Sequence, residues 1–398
     1  MPMNEHPILG QVVLGYSPMI DRQRKVTATR LTVFPQRPDL APEATPLLAA
    51  LATAWPEGGE ALLLNVASEP LLRELLACEL PLHIGLEVPA FLAADGALPP
   101  LLAALHARGT ALYIKGRPTS ELPKPVLGCF RHAVIEQGEE RRDGAEAEGG
   151  SARSLGFVQA GVRCASDVEA AFGRGAAFVL GWPIEESVAR GNGKSAAPNL
   201  KVIVELINRV DREESIDRLE AVLKNDPTLA FRLVRYINSA AFGLRVEISS
   251  FRHAIMMLGY QKLKRWLALL LASASNDANM RPVMHAAVRR GLIMEELVRG
   301  AGDEQMGSEM FICGVFSLLD IMMGQPFDQL LKSIPVPQDV FEALVNGGGR
   351  YVSYLELVRA IEQESLFDIR ERAETVMLSA SEINHALLRA MGAARQLE

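Results

Sequence analysis

The chain has 398 residues, of which 49% are apolar, and 41 basic against 48 acidic side chains give a net charge of −7. That apolar content excludes global disorder and allows a large core. Residues 1–197 hold 18 basic and 22 acidic side chains and residues 198–398 hold 23 and 26, so neither half has the basic excess of a nucleic-acid surface.

The first half alternates short apolar runs with helix-like segments. Strands are predicted at Gln11–Tyr16, Val26–Phe34, Ala61–Val66, Leu82–Glu87, Ala111–Ile114, Arg131–Ile135, Leu155–Gln159 and Ala176–Leu180. Thr45–Ala54, Ser68–Ala77, Ala97–Ala107 and Ser166–Phe172 suit helices between them. This alternation predicts a parallel sheet or barrel, with Ser17–Arg22 as an antiparallel connection between the first two strands. Glu136–Ser151 has almost no apolar anchor and reads as a solvated loop. Ala189–Pro198, rich in Gly, Ser and Ala, is the strongest domain boundary.

Beyond Pro198 the apolar period becomes helical. Helices are predicted at Leu200–Arg209, Glu213–Lys224, Pro227–Asn238, Ser250–Leu258, Gln261–Ser273, Pro282–Arg299, Glu304–Met323, Pro337–Val345, Tyr351–Gln363 and Ser381–Met391. In the third, Asp226 can cap and Pro227 suits the first turn, where a missing N–H costs nothing. Leu229, Leu233 and Ile237 then share one face, and Asn238 and Gly243 supply stop signals.

The four cysteines, Cys78, Cys129, Cys164 and Cys313, fit neither a zinc pattern nor a redox pair, which predicts reduced thiols. Met1–Gly10 lacks a basic region followed by an apolar one, and no apolar run is long enough to span a bilayer. A cytoplasmic protein with neither membrane nor nucleic-acid partner is expected.

The phrases DPTLAFRLVRYINSAAFG at 226–243 and AIMMLGYQKLKRWLALLLA at 254–272 resemble the HDOD family, helical output domains related in fold to the HD phosphohydrolases. The resemblance spans roughly residues 198–390. GYSPMIDRQRKVTATRLTVF at 15–34, LLLNVASEPLL at 62–72, LHIGLEVPAFL at 82–92 and GVRCASDVEAAFGRGAAFVLGWPIEE at 161–186 resemble EAL domains, barrel enzymes that hydrolyse cyclic di-GMP. GVFSLLDIMMG at 314–324 is similar to a phrase of proteins that pair the two. The implied fold is α/β plus all-α. A degenerate, shortened EAL-like (β/α) barrel at 1–188 leads through a linker at 189–197 to an all-helical HDOD domain at 198–398.

Two-metal hydrolysis of a phosphodiester needs several carboxylates at the C-terminal mouth of the barrel. By the resemblance, the key glutamate falls near Arg30, the paired aspartates near Ile114-Lys115-Gly116, a lysine and aspartate near Arg131–Glu136, and a later glutamate near Ala160-Gly161-Val162. Only Asn65 and Glu87 match metal-site positions, and Arg30 and Lys115 would repel cations. The literal Glu-Ala-Leu tripeptides at Glu60–Leu62 and Glu342–Leu344 are coincidental, one preceding the second matched strand and the other in the helical half.

In the helical half no His-Asp pair occurs, and Ser317 stands near the histidine of the HD relatives. His253, His285 and His385 are too dispersed for a site and read as helix-surface or boundary residues. Asp320 reads as a structural polar group, and Met256, Met257, Met322 and Met323 as packing residues. Arg289-Arg290 and Lys262, Lys264 and Arg265 read as solvated faces, with Arg289 and Arg290 the candidate partner site. Phosphate loops, nucleophile elbows and His-Glu-x-x-His are missing.

The expectation is a non-catalytic signalling protein, without cofactor or metal, whose HDOD domain contacts other signalling proteins. A cyclic di-GMP receptor using Arg30, Asn65, Glu87 and Lys115 is the alternative. An active phosphodiesterase is disfavoured by the missing carboxylates.

Overall fold

A computed structural model describes residues 6–37, 42–55, 60–116, 122–137, 155–185, 198–224, 251–272, 277–332, 334 and 336–395. Most of the acidic stretch Glu136–Ser151, the linker before Pro198 and the helix predicted at Pro227–Asn238 lie outside these residues. Contacts divide the chain into two units, Met1–Glu186 with Arg359–His385, and Ser187–Val358 with Ala386–Glu398. The helical half is therefore not one continuous unit from 198 to 398, because 27 of its residues pack with the first half.

The first unit is a closed eight-stranded barrel. Its strands are β1 (Val12–Ile20), β2 (Val26–Pro35), β3 (Ala61–Val66), β4 (Ile84–Pro89), β5 (Leu112–Lys115), β6 (His132–Glu136), β7 (Gly156–Val162) and β8 (Phe178–Gly181). All eight overlap predicted strands, because each is an apolar run bounded by turn residues, but Ser17–Ile20, read as part of the connection to β2, continue β1 and pair with β2. β1 is antiparallel to β2 and β8, and the other neighbours are parallel. The interior packs Met19, Ala28, Leu63, Val134, Val158, Ala160 and Leu180 with Tyr113 and Phe178. Outside run α1 (Ala44–Ala54), α2 (Glu69–Ala77), α3 (Pro99–Ala107) and α4 (Ala165–Gly173). α2 and α3 begin with proline in the first turn, and Asp167 closes a capping box with Cys164 on α4.

β1 meets β8 only through Met19–Leu180 and Ile20–Val179, which leaves the outer edge of its first half without a strand partner. Unpaired buried backbone is costly, so other groups must satisfy this edge. The buried amide of Asn384 accepts from Leu14 N at 3.2 Å and donates to Leu9 O and Val12 O at 2.8 Å each. Trp182 Nε1 donates to Tyr16 O at 3.2 Å. The returning segment Arg359–His385 thus completes the barrel seam.

In the second unit, α5 (Pro198–Asp211), α6 (Ile216–Lys224), α7 (Phe251–Ala272), α8 (Met280–Leu297) and α9 (Glu304–Phe316) come first. α7 is interrupted at Gly259, φ +68°, a left-handed conformation that suits glycine. The sequence marks this break, where two predicted helices end and begin. The side chain of Asp303 caps α9 by accepting from Met306 N at 2.9 Å. Short turns at Leu319–Met323, Phe327–Leu330 and Gln338–Phe341 lead into α10 (Val352–Glu362). α11 (Leu366–Thr375), which the sequence reading misses, and the start of α12 (Ala380–Arg395) belong to the barrel unit. No described helix is long and apolar enough to cross a membrane. All four cysteines are free, with Cys129 and Cys313 buried and Cys78 and Cys164 half-buried.

Candidate functional site

Strand alternation puts Arg30 and Thr32 of β2, Asn65 of β3, Glu87 of β4, Lys115 of β5 and Glu136 of β6 at the C-terminal mouth of the barrel. Arg30 makes a bidentate pair with Glu87, Nε to Oε1 at 2.7 Å and Nη2 to Oε2 at 2.8 Å. The Glu87 side chain is 0% exposed and that of Arg30 6%, so each needs the other's charge. Arg30 Nη1 also donates to Glu364 Oε2 at 3.0 Å.

A chain of donors runs alongside. Lys115 Nζ donates to Asn65 Oδ1 at 3.0 Å, and Asn65 Nδ2 donates to Thr32 Oγ1 at 3.0 Å. Thr32 Oγ1 donates to Glu364 Oε1 at 2.9 Å, and Ser17 Oγ reaches the same oxygen at 3.1 Å. All four residues read from the sequence, Arg30, Asn65, Glu87 and Lys115, therefore meet in one network.

Burial disfavours the charged form of Arg30, but the carboxylates of Glu87 and Glu364 outweigh it and hold its pKa above the usual value. Burial pushes the Glu136 carboxyl above the usual range, against the pull of Arg30 and Lys115 and with the help of Glu87 and Glu364. The mouth thus gathers three carboxylates and two cations. The sequence reading counted one carboxylate there, Glu87. It missed Glu136, read as the first residue of the solvated loop after the strand predicted at Arg131–Ile135 but in fact the last residue of β6, and Glu364, which is 334 residues from Arg30. Only the alternation along β6 could have flagged Glu136, and nothing local flags Glu364.

In the second unit α8 and α9 cross closely. A Cβ on Gly314 would lie 2.6 Å from the backbone of Arg290, and one on Gly291 would lie 2.9 Å from Phe311 O. Arg289 and Arg290, expected on a solvated face, are 1% and 3% exposed. That expectation is corrected: the two arginines belong to the packed interior of the unit. Arg290 Nη1 donates to Ser317 Oγ at 3.0 Å, which donates to Gly314 O at 2.7 Å. Arg289 Nη1 lies 2.7 Å from His285 Nδ1 and Nε lies 3.4 Å from Met391 Sδ. Guanidinium only donates, so Nδ1 accepts and the neutral ring carries its proton on Nε2. A helical period alone cannot tell a buried arginine from an exposed one when the arginine's partners lie on other helices.

Three smaller expectations also change. Arg265 is anchored by Glu295 and lies 4.1 Å over the Phe311 ring, and Lys264 pairs with Asp211, so neither is simply solvated. His385 is buried and donates from Nδ1 to Ser381 O at 2.7 Å. Met256 is 60% exposed rather than packed. His285, Met322, Met323 and Asp320 are half-buried, and the side chains of His253 and Met257 lie outside those described.

Residues 197–324 match the family model of the HDOD domain. The chain carries an HDOD domain. In front of it stands the closed eight-stranded barrel. The chain is 28% identical over 165 residues to the uncharacterised protein YuxH of Bacillus subtilis, covering 40% of each chain. It is 24% identical over 196 residues to the cyclic di-GMP phosphodiesterase CdgJ of Vibrio cholerae, covering 49% of this chain and 45% of that one. The chain thus spans less than half the length of either relative. Among solved structures it is similar to the MucR phosphodiesterase in its c-di-GMP complex, at 18% identity and a TM-score of 0.33, over 44% of this chain and 91% of that one.

Proposed function

We propose that this EAL–HDOD chain is a non-catalytic signalling protein whose HDOD domain works through contacts with other signalling proteins. The observation that carries this reading is the Arg30–Glu87 pair. Both oxygens of the one carboxylate at a matched metal-site position are engaged by a guanidinium. Hard divalent cations need several oxygen ligands, and no group of three or more His, Cys, Asp or Glu among the described residues is arranged to hold one. The described residues present therefore do not fit a two-metal centre.

The test is incubation of the full chain with cyclic di-GMP and Mg²⁺ or Mn²⁺, followed by chromatography. Intact dinucleotide is expected. Metal-dependent release of linear dinucleotide, abolished by Glu87→Ala, would overturn the reading. A second reading, a receptor for cyclic di-GMP, is favoured by Arg30 and Lys115 at the mouth, two cations that suit phosphate, and by the name of the relative CdgJ.

A further inference from the structure

We propose that Glu364 is a displaceable internal plug: its carboxylate sits where a phosphate group of an anionic ligand would sit, and such a ligand enters the barrel mouth by exchanging with it. The cradle around Glu364 consists of two hydroxyls and one guanidinium, from Ser17, Thr32 and Arg30. Donors converging on one oxyanion recognise phosphate by the same hydrogen bonds. Glu87 holds Arg30 through Nε and Nη2 with both of its oxygens, apart from the Nη1 bond to Glu364. Glu364 is a second carboxylate on the same guanidinium, so replacing it by another anion leaves the Arg30–Glu87 pair intact.

The backbone is fitted to this placement. α10 ends with Ser365 N donating to Ala360 O and Glu364 N donating to Ile361 O. That is a Schellman ending, and its left-handed position normally holds glycine. Here it holds Glu364, at φ +54°. Glu213 and Met377 end their helices with the same pair of bonds at positive φ, so what distinguishes Glu364 is the place of its carboxylate in the mouth. Gly15 on β1 gives the clearance, since a Cβ there would lie 2.9 Å from Glu364 Cα and 3.1 Å from Ile361 O. The Glu364 side chain remains 15% exposed, so its exit opens to solvent rather than into the core.

This rests on the reading of the mouth as non-hydrolytic, and the test separates the two. The full chain, Glu364→Gly, Glu364→Gln and Gly15→Ala are titrated calorimetrically with cyclic di-GMP as the phosphodiester probe. Melting curves and circular dichroism confirm folding, and the products are chromatographed. Glu364→Gly removes the plug and suits the left-handed backbone, whereas Glu364→Gln keeps the shape and removes the charge. If the plug is closed about nine-tenths of the time, its loss tightens binding about tenfold. Folded Glu364→Gly and Glu364→Gln should each bind about tenfold more tightly than the native chain, Gly15→Ala should shift the same way, and Thr32→Val added to Glu364→Gly should reverse the gain. Equal affinity in native and folded variants, or no binding by any of them, overturns the plug and leaves the non-catalytic reading standing. Hydrolysis by the native chain overturns that reading, while the affinity ratio still decides the plug.

Discussion

The barrel mouth and the α8–α9 crossing both bury arginine, and they do so on different terms. At the mouth, Arg30 stands against carboxylates, Glu87 by two hydrogen bonds and Glu364 by one. At the crossing, Arg290 donates to the hydroxyl of Ser317, Arg289 to the ring of His285, and two glycines set the helix separation. A buried carboxylate dictates its neighbour. Glu87 must have a cation, and without a metal that cation is a side chain. At the crossing the closeness of the helices adds a demand of volume, which Gly291 and Gly314 meet.

The largest effect should come from breaking the charge pair. Arg30→Met leaves Glu87 buried and uncompensated and should cost about 3–5 kcal/mol in urea unfolding of the barrel unit. Arg30→Met with Glu87→Met should recover most of that. A single-variant cost near that of an exposed ion pair would mean the mouth is wetter than described. At the crossing, Gly314→Ala places a methyl against the Arg290 backbone and should cost about 2–3 kcal/mol, with no rescue from any change of charge nearby. Rescue by charge would erase the distinction drawn between the two regions.

Smaller changes sharpen it. Ser317→Ala removes one acceptor from Arg290 and should lower stability by about 1–2 kcal/mol, measured by thermal melting. Glu136→Gln tests the mouth from its other side. Burial raises the folded pKa of Glu136 above the unfolded value, so the folded state binds its proton more tightly. Its charge therefore weakens the fold above the folded pKa, and that penalty fades as pH falls through the window towards the unfolded pKa. Glu136→Gln should raise the melting temperature by about 1–3 °C at pH 8, with the gain vanishing in acid. A gain independent of pH would assign it to packing.

The strands were legible because each is a short apolar run between turn residues, and their order places Arg30, Asn65, Glu87 and Lys115 at one mouth. The HDOD phrase is equally plain, although much of it falls outside the described residues. Glu364 was not legible, because its partners lie across 332 to 347 residues of sequence and its own turn calls for glycine. Asn384 was hidden for the same reason, since nothing nearby shows that it serves the edge of β1. Arg289 and Arg290 misled in the opposite direction. Two adjacent arginines resemble a solvated face until Ser317, His285 and Met391 are seen around them.

The central claim is that a guanidinium, not a metal pair, answers the carboxylate at the barrel mouth. Titration of the full chain with Mn²⁺, followed by electron paramagnetic resonance of the free ion, tests it most directly. The account predicts no saturable site in the native chain and none lost in Glu87→Ala. A stoichiometric Mn²⁺ site in the native chain that disappears in Glu87→Ala would contradict it.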